Sequence, residues 1–249
     1  MKKALWVCLL VGLLTACEKG GSDSVSPGAG VGGSTARFTV SGNVLYMVSS
    51  TALQAYDISN SSDPKKGMQT QLGFGVETIF PYQDNLFIGT QTGMYIYDIK
   101  QPNTPKYVSR YAHIFSCDPV VVQGKYAYVT LRNGTTCRTQ STSTNQLEVI
   151  DISNLANPKM ISSYPMTNPR GLGVDGSLLF VGEGDYGLRV LDISKPDVPR
   201  ELQYFRDVKT YDVIPTQKRL IVTGPTGIYQ YGYADTNELK LLSQIPVEP

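Results

Sequence analysis

Metal ligands are scarce in this 249-residue sequence, which contains one His and four Cys. A single imidazole and no four-ligand spacing give little from which to build a zinc site. An excess of charge is also missing, because 22 Lys and Arg face 21 Asp and Glu. Such a balance disfavours a nucleic-acid-binding surface or a polybasic membrane patch. We therefore expect no metal, no cofactor and no nucleic-acid partner.

A long hydrophobic run is missing too. The apolar stretch from Ala4 to Leu14 follows Lys2 and Lys3, and it is about half the roughly 20 residues that a membrane-spanning helix needs. It predicts a secretory signal. Residues 14–17, LTAC, resemble the bacterial lipobox, which implies cleavage before Cys17 and lipidation of Cys17. An ordinary cleaved signal with an incidental Cys17 is the alternative.

These features divide the chain into three parts. Residues 1–16 are the expected signal peptide, and residues 17–36 are the lipidated Cys and a Gly/Ser-rich flexible tether. The folded part is expected over 37–249. We expect a lipid-anchored protein of the bacterial cell envelope, held on the membrane by its lipid. Glu18, rather than Asp, favours the outer membrane under the enterobacterial sorting rule, and exposure at the cell surface is a further expectation.

A four-residue phrase recurs along the folded part: YDIS, YDIK, IDIS and LDIS. Its Asp residues, Asp57, Asp98, Asp151 and Asp192, are spaced by 41, 53 and 41 residues, and Gly232 takes the Asp position in a fifth copy. A period near 40 indicates a propeller or a solenoid. Each unit divides into four short runs rich in Val, Ile, Leu and Tyr between turn residues, which is typical of strands. The sequence therefore predicts an all-β, five-bladed propeller with four-stranded blades and about 41 residues per repeat.

The repeated Asp invites a catalytic or metal-binding interpretation. Each one lies at a strand end just before a turn that contains Pro, where a short carboxylate can accept backbone N–H bonds in an Asx turn. Fourfold repetition suits a structural part of every blade better than one site. We expect the structural role.

Two stretches resemble a known family. LEVIDIS…NPK at 147–159 and LLFVGEGDYGLRVLDISKPDVP at 178–199 are similar to the LVIVD repeat, which is named for its Leu-x-Val-Ile-Asp core. The copy at 53–59 is looser, and the fifth departs at Gly232. The resemblance implies a bacterial lipoprotein β-propeller from a family of surface and secreted proteins with no established general activity.

Two loops of blade three each carry a cysteine. An insertion at 132–146 contains Cys137, and the connection at 111–119 contains Cys117. Loops between strands two and three emerge at the same end of a blade as the connections between blades, so the two cysteines should converge. In an exported protein this predicts a disulfide; two free thiols or a metal pair are the alternatives.

Polar residues gather at the same end of the propeller. They form a candidate binding face or a solvated rim whose ion pairs tie blades together, and they are Asp118, Arg132, Arg170, Glu183, Asp185, Lys209 and Tyr211. We expect a binding or scaffold module whose partner is an unknown envelope protein or glycan. No catalytic residue is expected. The alternative is a hydrolase acting on glycans at the mouth, although two carboxylates two residues apart do not by themselves flank a scissile bond.

Overall fold

The computed structural model describes residues 33–113, 119–133, 145–233 and 238–247. Within these ranges the regular structure is β-strand, arranged as five four-stranded antiparallel sheets. The predicted all-β fold and five-bladed propeller are confirmed. No helix among the described residues has the length and apolarity to cross a membrane.

Each blade is made of four strands that are consecutive in sequence and neighbours in the sheet. Blade one holds β1 (Phe38–Ser41), β2 (Val44–Val48), β3 (Ala52–Asp57) and β4 (Lys65–Gln71). Blade two holds β5 (Val76–Tyr82), β6 (Asn85–Thr90), β7 (Gly93–Asp98) and β8 (Lys106–Ala112). Blade three holds β9 (Val120–Gln123), β10 (Tyr126–Leu131), β11 (Gln146–Asp151) and β12 (Lys159–Pro165). Blade four holds β13 (Leu172–Asp175), β14 (Leu178–Gly182), β15 (Leu188–Asp192) and β16 (Arg200–Phe205). Blade five holds β17 (Asp212–Thr216), β18 (Arg219–Gly224), β19 (Gly227–Gly232) and β20 (Lys240–Pro246).

The first two strands of a blade are joined by tight turns that need a left-handed residue. Gly124 (φ 62°) and Gly176 (φ 59°) occupy such positions in blades three and four, where a side chain would be strained. In every blade, the pairing of the third and fourth strands shifts register once, near the middle of the third strand. Such bulges increase the local twist of a sheet.

Apolar side chains on both faces of the strands hold the blades together. In β11, Leu147 and Val149 pack against blade four, whereas Ile150 packs against blade two. The same alternation gives four apolar cores among the described residues, one between each pair of consecutive blades. Burial on two faces explains why the third strands are apolar nearly throughout rather than alternating.

The four repeated Asp residues each close a turn. A carboxylate oxygen of Asp57, Asp98, Asp151 and Asp192 accepts the backbone N–H two residues later at 2.8–2.9 Å. These are Asx turns that end the third strand of blades one to four. Blade five has Gly232 at the equivalent position, so this contact is absent there.

Candidate functional site

One end of the propeller axis holds a cavity of about 440 Å³. Most of its walls come from the entry to the innermost strand of blades two to five and from the chain that precedes blade one. Arg132, just after β10, and Thr223 of β18 complete the lining. The lining residues are Thr35, Arg37, Glu77, Thr78, Pro119, Arg132, Pro169, Arg170, Gly171, Tyr211, Asp212 and Thr223. We call this space the axial cavity.

Arg170 reaches the axial cavity from the connection between blades three and four. Its backbone is fixed from both sides, because its N–H donates to Gly182 O at 2.7 Å and its carbonyl accepts from Thr130 Oγ1 at 2.7 Å. The guanidinium lies over the Tyr211 ring, 5.1 Å from the centroid. Its Nε is buried and finds no hydrogen-bond partner among the described residues. Arg170 is thus held in place with a donor unused.

A second arginine intensifies the positive charge of the axial cavity. Burial lowers the pKa of Arg132, and repulsion by Arg170 lowers it further, while the charge of Glu77 acts in the opposite direction. The Arg170 guanidinium is therefore close enough to disfavour the charged form of Arg132. Arg37 adds a third cation to the lining.

The negative charge of Asp212 is already engaged. One oxygen accepts from Ser34 Oγ at 3.1 Å and from Val213 N at 2.9 Å, and the other accepts from Thr35 Oγ1 at 2.7 Å. Ser34 itself is buried. Residues 33–36, which the composition assigns to the flexible tether, are here packed into the propeller; we call them the N-terminal strap.

Glu183 is fully buried below the rim rather than in the axial cavity. Its carboxylate accepts from Thr167 N at 2.7 Å, Arg189 Nε at 2.7 Å and Tyr204 OH at 2.8 Å. Burial alone would lower the pKa of Arg189, but the hydrogen bond and charge of Glu183, aided by the charge of Glu201, raise it above its usual value. Glu183 ties strands of blade four together, which leaves it no free oxygen for a ligand.

The other candidate residues fall in three places. Tyr211 lines the axial cavity, together with Arg132 and Arg170. Asp185 lies on the exposed rim, where it pairs with Lys209 at 3.3 Å, a contact worth little in water. Asp118 lies outside the described residues, as do the predicted disulfide cysteines Cys117 and Cys137 and the predicted lipidation site Cys17.

Sequence reasoning missed Arg37, Glu77 and Asp212. A signal for two of them exists in the register of the innermost strands. The buried residues Ile79, Leu172 and Val213 are equivalent in the register of their blades. Two residues before them stand Glu77, Arg170 and Tyr211, and one residue before Ile79 and Val213 stand Thr78 and Asp212. Aligning all five blade entries, rather than the entries of blades three and four, would have brought these residues into the candidate face.

The donor set suits an organic anion better than a metal ion. Among the described residues, no group of three or more His, Cys, Asp or Glu side chains is placed to hold a metal. Guanidinium groups instead offer planar pairs of donors that match carboxylate and phosphate oxygens.

The family model of the LVIVD repeat matches four segments of the sequence: 32–67, 116–136, 142–166 and 169–206. The chain is an LVIVD repeat protein. The matched segments include strands of blades one, three and four and the Asx-turn residues Asp57, Asp151 and Asp192 of those blades. No curated protein shows a significant sequence match to this LVIVD repeat protein.

Solved propeller structures share the fold at low sequence identity. A functionally unknown protein from Desulfotomaculum acetoxidans is 14% identical, with a TM-score of 0.67, over 83% of this chain and 67% of that chain. A periplasmic gluconolactonase from Pseudomonas aeruginosa is 12% identical, with a TM-score of 0.63, over 85% of this chain and 68% of that chain. BamB from Moraxella catarrhalis is 8% identical, with a TM-score of 0.56, over 76% of this chain and 53% of that chain. At such low identities the likeness carries the fold alone.

Proposed function

We propose that this LVIVD repeat protein is an exported, lipid-anchored module of the bacterial cell envelope that binds an anionic ligand in the axial cavity. Arg170 is the observation that carries the proposal. Its guanidinium is positioned by two backbone hydrogen bonds and by the Tyr211 ring, yet its buried Nε has no partner among the described residues. The same side chain lines the axial cavity, where a guanidinium offers a planar set of donors that matches a carboxylate or phosphate.

The charge of the lining supports the same ligand class. Three arginines face the axial cavity with two carboxylates, and the Asp212 carboxylate is engaged by the N-terminal strap. The pKa of Arg132 is lowered by burial and by the charge of Arg170. A ligand anion between the two guanidinium groups would relieve that repulsion, so anion binding and a rise in the pKa of Arg132 are coupled.

A hydrolase is the second candidate, favoured by the similarity to a periplasmic gluconolactonase. Acid–base hydrolysis needs a carboxyl group that is free to exchange a proton with the substrate. Both oxygens of Asp212 accept hydrogen bonds from the protein. The buried carboxylate of Glu183 accepts hydrogen bonds from three donors. These contacts disfavour Asp212 and Glu183 as acid–base groups, so a hydrolase would depend on Glu77, the other carboxylate of the axial cavity.

Calorimetric titration of the full chain with three sugars tests the proposal. Glucuronate and glucose 6-phosphate carry the two anionic groups, and glucose carries neither. We expect binding of at least one anionic sugar and none of glucose. Replacing Arg170→Gln should weaken binding about tenfold or more, since a charge-assisted hydrogen bond contributes roughly 1.5–3 kcal/mol. Arg132→Ala with Arg170→Ala should abolish it.

Arg219→Gln is the matched control, because Arg219 is exposed at the far end of β18 from the cavity residue Thr223. It should bind like the wild type. Equal affinity for all three sugars, or unchanged affinity in the double Arg variant, would overturn the ligand class. Release of gluconate from gluconolactone above the rate of a buffer blank, and loss of that rate in Glu77→Gln, would establish the hydrolase instead.

Substitution of Cys17 tests whether the protein is anchored by a lipid. A labelled fatty acid fed to cells should mark the wild-type protein and leave Cys17→Ala unmarked. Density-gradient separation should then place the wild type with the outer membrane, and protease added to intact cells would reveal exposure at the surface. Equal labelling of both proteins would contradict the anchor without bearing on the axial cavity.

A further inference from the structure

The N-terminal strap forms the wall of the axial cavity on the side between blades five and one. Four apolar cores join consecutive blades among the described residues, and none of the four joins blade five to blade one. On that side, Ser34 Oγ donates to Asp212 of blade five at 3.1 Å and accepts from Leu172 N of blade four at 2.7 Å. The next residue, Thr35, lines the cavity. Undocking of the strap would therefore remove part of the cavity wall.

Hydrogen bonds, rather than large apolar side chains, hold the N-terminal strap in place. Its four residues are Gly, Ser, Thr and Ala. Besides the bonds of Ser34, Thr35 Oγ1 donates to Asp212 at 2.7 Å, and Ala36 O accepts from Ile79 N of blade two at 3.0 Å. A hydrogen bond that is exchanged with water contributes little net stability. A short segment held in this way opens at a lower free-energy cost than the fold as a whole.

Docking of the N-terminal strap also decides what the Asp212 carboxylate contacts. Its hydrogen bonds come from the strap and from Val213 N, and none of its partners among the described residues is an arginine. The carboxylate nevertheless lies next to an arginine in the chain fold, because a Cβ at Gly171 would be 2.0 Å from an Asp212 oxygen and Arg170 is the preceding residue. Both Asp212 and Arg170 line the axial cavity. Without the strap hydroxyls, a guanidinium would be the strongest partner within the cavity for this carboxylate.

We propose that docking of the N-terminal strap and binding of an anion in the axial cavity are coupled, with Ser34 and Thr35 as the positioning residues. The coupling rests on the proposed function of the cavity. A docked strap completes the wall and keeps Asp212 engaged. An undocked strap opens the wall and frees Asp212 to pair with the arginines in place of the ligand. The anion therefore binds the docked form better, and by reciprocity it holds the strap docked.

Residue-resolved hydrogen exchange of the wild-type full chain tests the coupling without any substitution. The amides of Leu172 and Ile79 donate to Ser34 Oγ and Ala36 O, so their exchange reports opening of the strap; we call them the strap-bonded amides. The probe is glucuronate or glucose 6-phosphate, whichever binds the wild type more tightly. With the probe at about 100 times its dissociation constant, exchange at both amides should slow about tenfold or more, because a ligand that binds only the docked form suppresses opening.

Substitution of the strap hydroxyls tests the same coupling from the other side. Ser34→Ala with Thr35→Val removes both hydroxyl donors to Asp212, and the affinity for the probe should fall about fivefold or more, as is typical of coupled sites. Adding Asp212→Asn to this double variant should raise the affinity again by about threefold or more, because a neutral amide does not compete with the anion for the arginines. If the contact were merely structural, a third change at the same place would only weaken binding further.

Ser61→Ala with Thr104→Val is the matched control, since both residues are exposed in turns that follow the third strands, at the other end of the propeller. It should bind the probe like the wild type. The wild-type amide of Thr104, which donates to Gln101 O in such an exposed turn, should keep its exchange rate when the probe is added. Thermal unfolding checks that each variant is folded, and the exchange measurement decides the proposal even where a variant is unstable.

Three results would overturn the coupling while leaving the anion site intact: unchanged exchange at the strap-bonded amides, unchanged affinity in the double variant, or a triple variant that binds no better than the double variant. If neither anionic sugar binds the wild type, the proposed function fails, and the coupling fails with it.

Discussion

The Ser34 hydroxyl donates a hydrogen bond to Asp212 at 3.1 Å, although 178 residues separate the two in sequence. The same hydroxyl accepts the backbone N–H of Leu172 at 2.7 Å. One side chain of the N-terminal strap thus connects blades four and five. A side chain at Gly33 or Gly171 would collide with the carboxylate, because a Cβ at either position would lie 2.0 Å from an Asp212 oxygen.

Replacing Asp212→Ala should destabilise the protein by about 3 kcal/mol, because the strap hydroxyls would lose a charged acceptor in a buried site. Urea unfolding of the full chain gives the change in free energy. Asp207→Ala is the matched control, since Asp207 is exposed in the preceding connection, and it should change stability by less than about 0.5 kcal/mol. If Asp212→Ala unfolds like the control, the strap does not hold the blades.

The fold of the blades was predictable because the sequence contains five copies of the same repeat. Each copy repeats the same four apolar runs, and four of the five repeat the strand-ending Asp, so an error in the interpretation of one copy is corrected by the others. The Asx turns of Asp57, Asp98, Asp151 and Asp192 followed from that repetition, and the observed contacts at 2.8–2.9 Å confirm the structural interpretation.

The candidate site was predictable only in part, because a site departs from the repeat. Arg132, Arg170 and Tyr211, three residues of the candidate face, line the axial cavity, and their role in binding stays a prediction. Glu183 does not line the axial cavity, because its carboxylate bonds to Arg189 of the neighbouring strand. The spacing of residues in the sequence does not reveal which arginine a buried glutamate will contact. The packing of the N-terminal strap could not be predicted from its composition, because Gly, Ser and Thr are common both in flexible tethers and in tightly packed segments.

Glu183→Gln should cost about 2–3 kcal/mol of stability. The amide keeps one acceptor oxygen but loses the charge that pairs with Arg189 in a fully buried site, and breaking one partner of a buried ion pair is expensive. Glu201→Gln serves as the control, because Glu201 contacts the same arginine from a more exposed position, where an ion pair contributes less than about 1 kcal/mol. Similar losses for both variants, measured by thermal unfolding, would contradict the separate role of Glu183.

Acid should weaken the fold between about pH 4 and pH 2. The backbone N–H and hydroxyl of Ser194, followed by Arg200, lower the pKa of Asp192 to about 2, against an ordinary value of about 3.9 in an unfolded chain. A lowered folded-state pKa gives stability that is present above the unfolded pKa and lost as the pH falls through the folded one. Contacts with Ser59 and Ser153 lower the pKa of Asp57 and Asp151 in the same direction.

Urea unfolding at pH 5, 3.5 and 2.5 measures this dependence. Asp192→Asn keeps a side-chain acceptor for the turn but cannot ionise, so its stability should change less over that range than the stability of the wild type. Asp197→Asn, an exposed neighbour in the following turn, should leave the wild-type slope unaltered. If the free energy of unfolding changed equally with pH in the wild type and in Asp192→Asn, Asp192 would not contribute to the acid sensitivity.

We expect Cys117 and Cys137 to form a disulfide in the mature protein. The chain that follows Cys117 and the chain that precedes Cys137 lie side by side in blade three, since Thr130 N donates to Pro119 O at 3.3 Å and both Pro119 and Arg132 line the axial cavity. A bond that closes a loop of about 20 residues contributes roughly 3 kcal/mol in the chain-entropy model. Peptide mapping without reductant should recover the linked pair, and Cys117→Ser should lower stability as much as Cys137→Ser and as much as both together. Free alkylation of both thiols in native protein purified without reductant would show that the two loops are not joined.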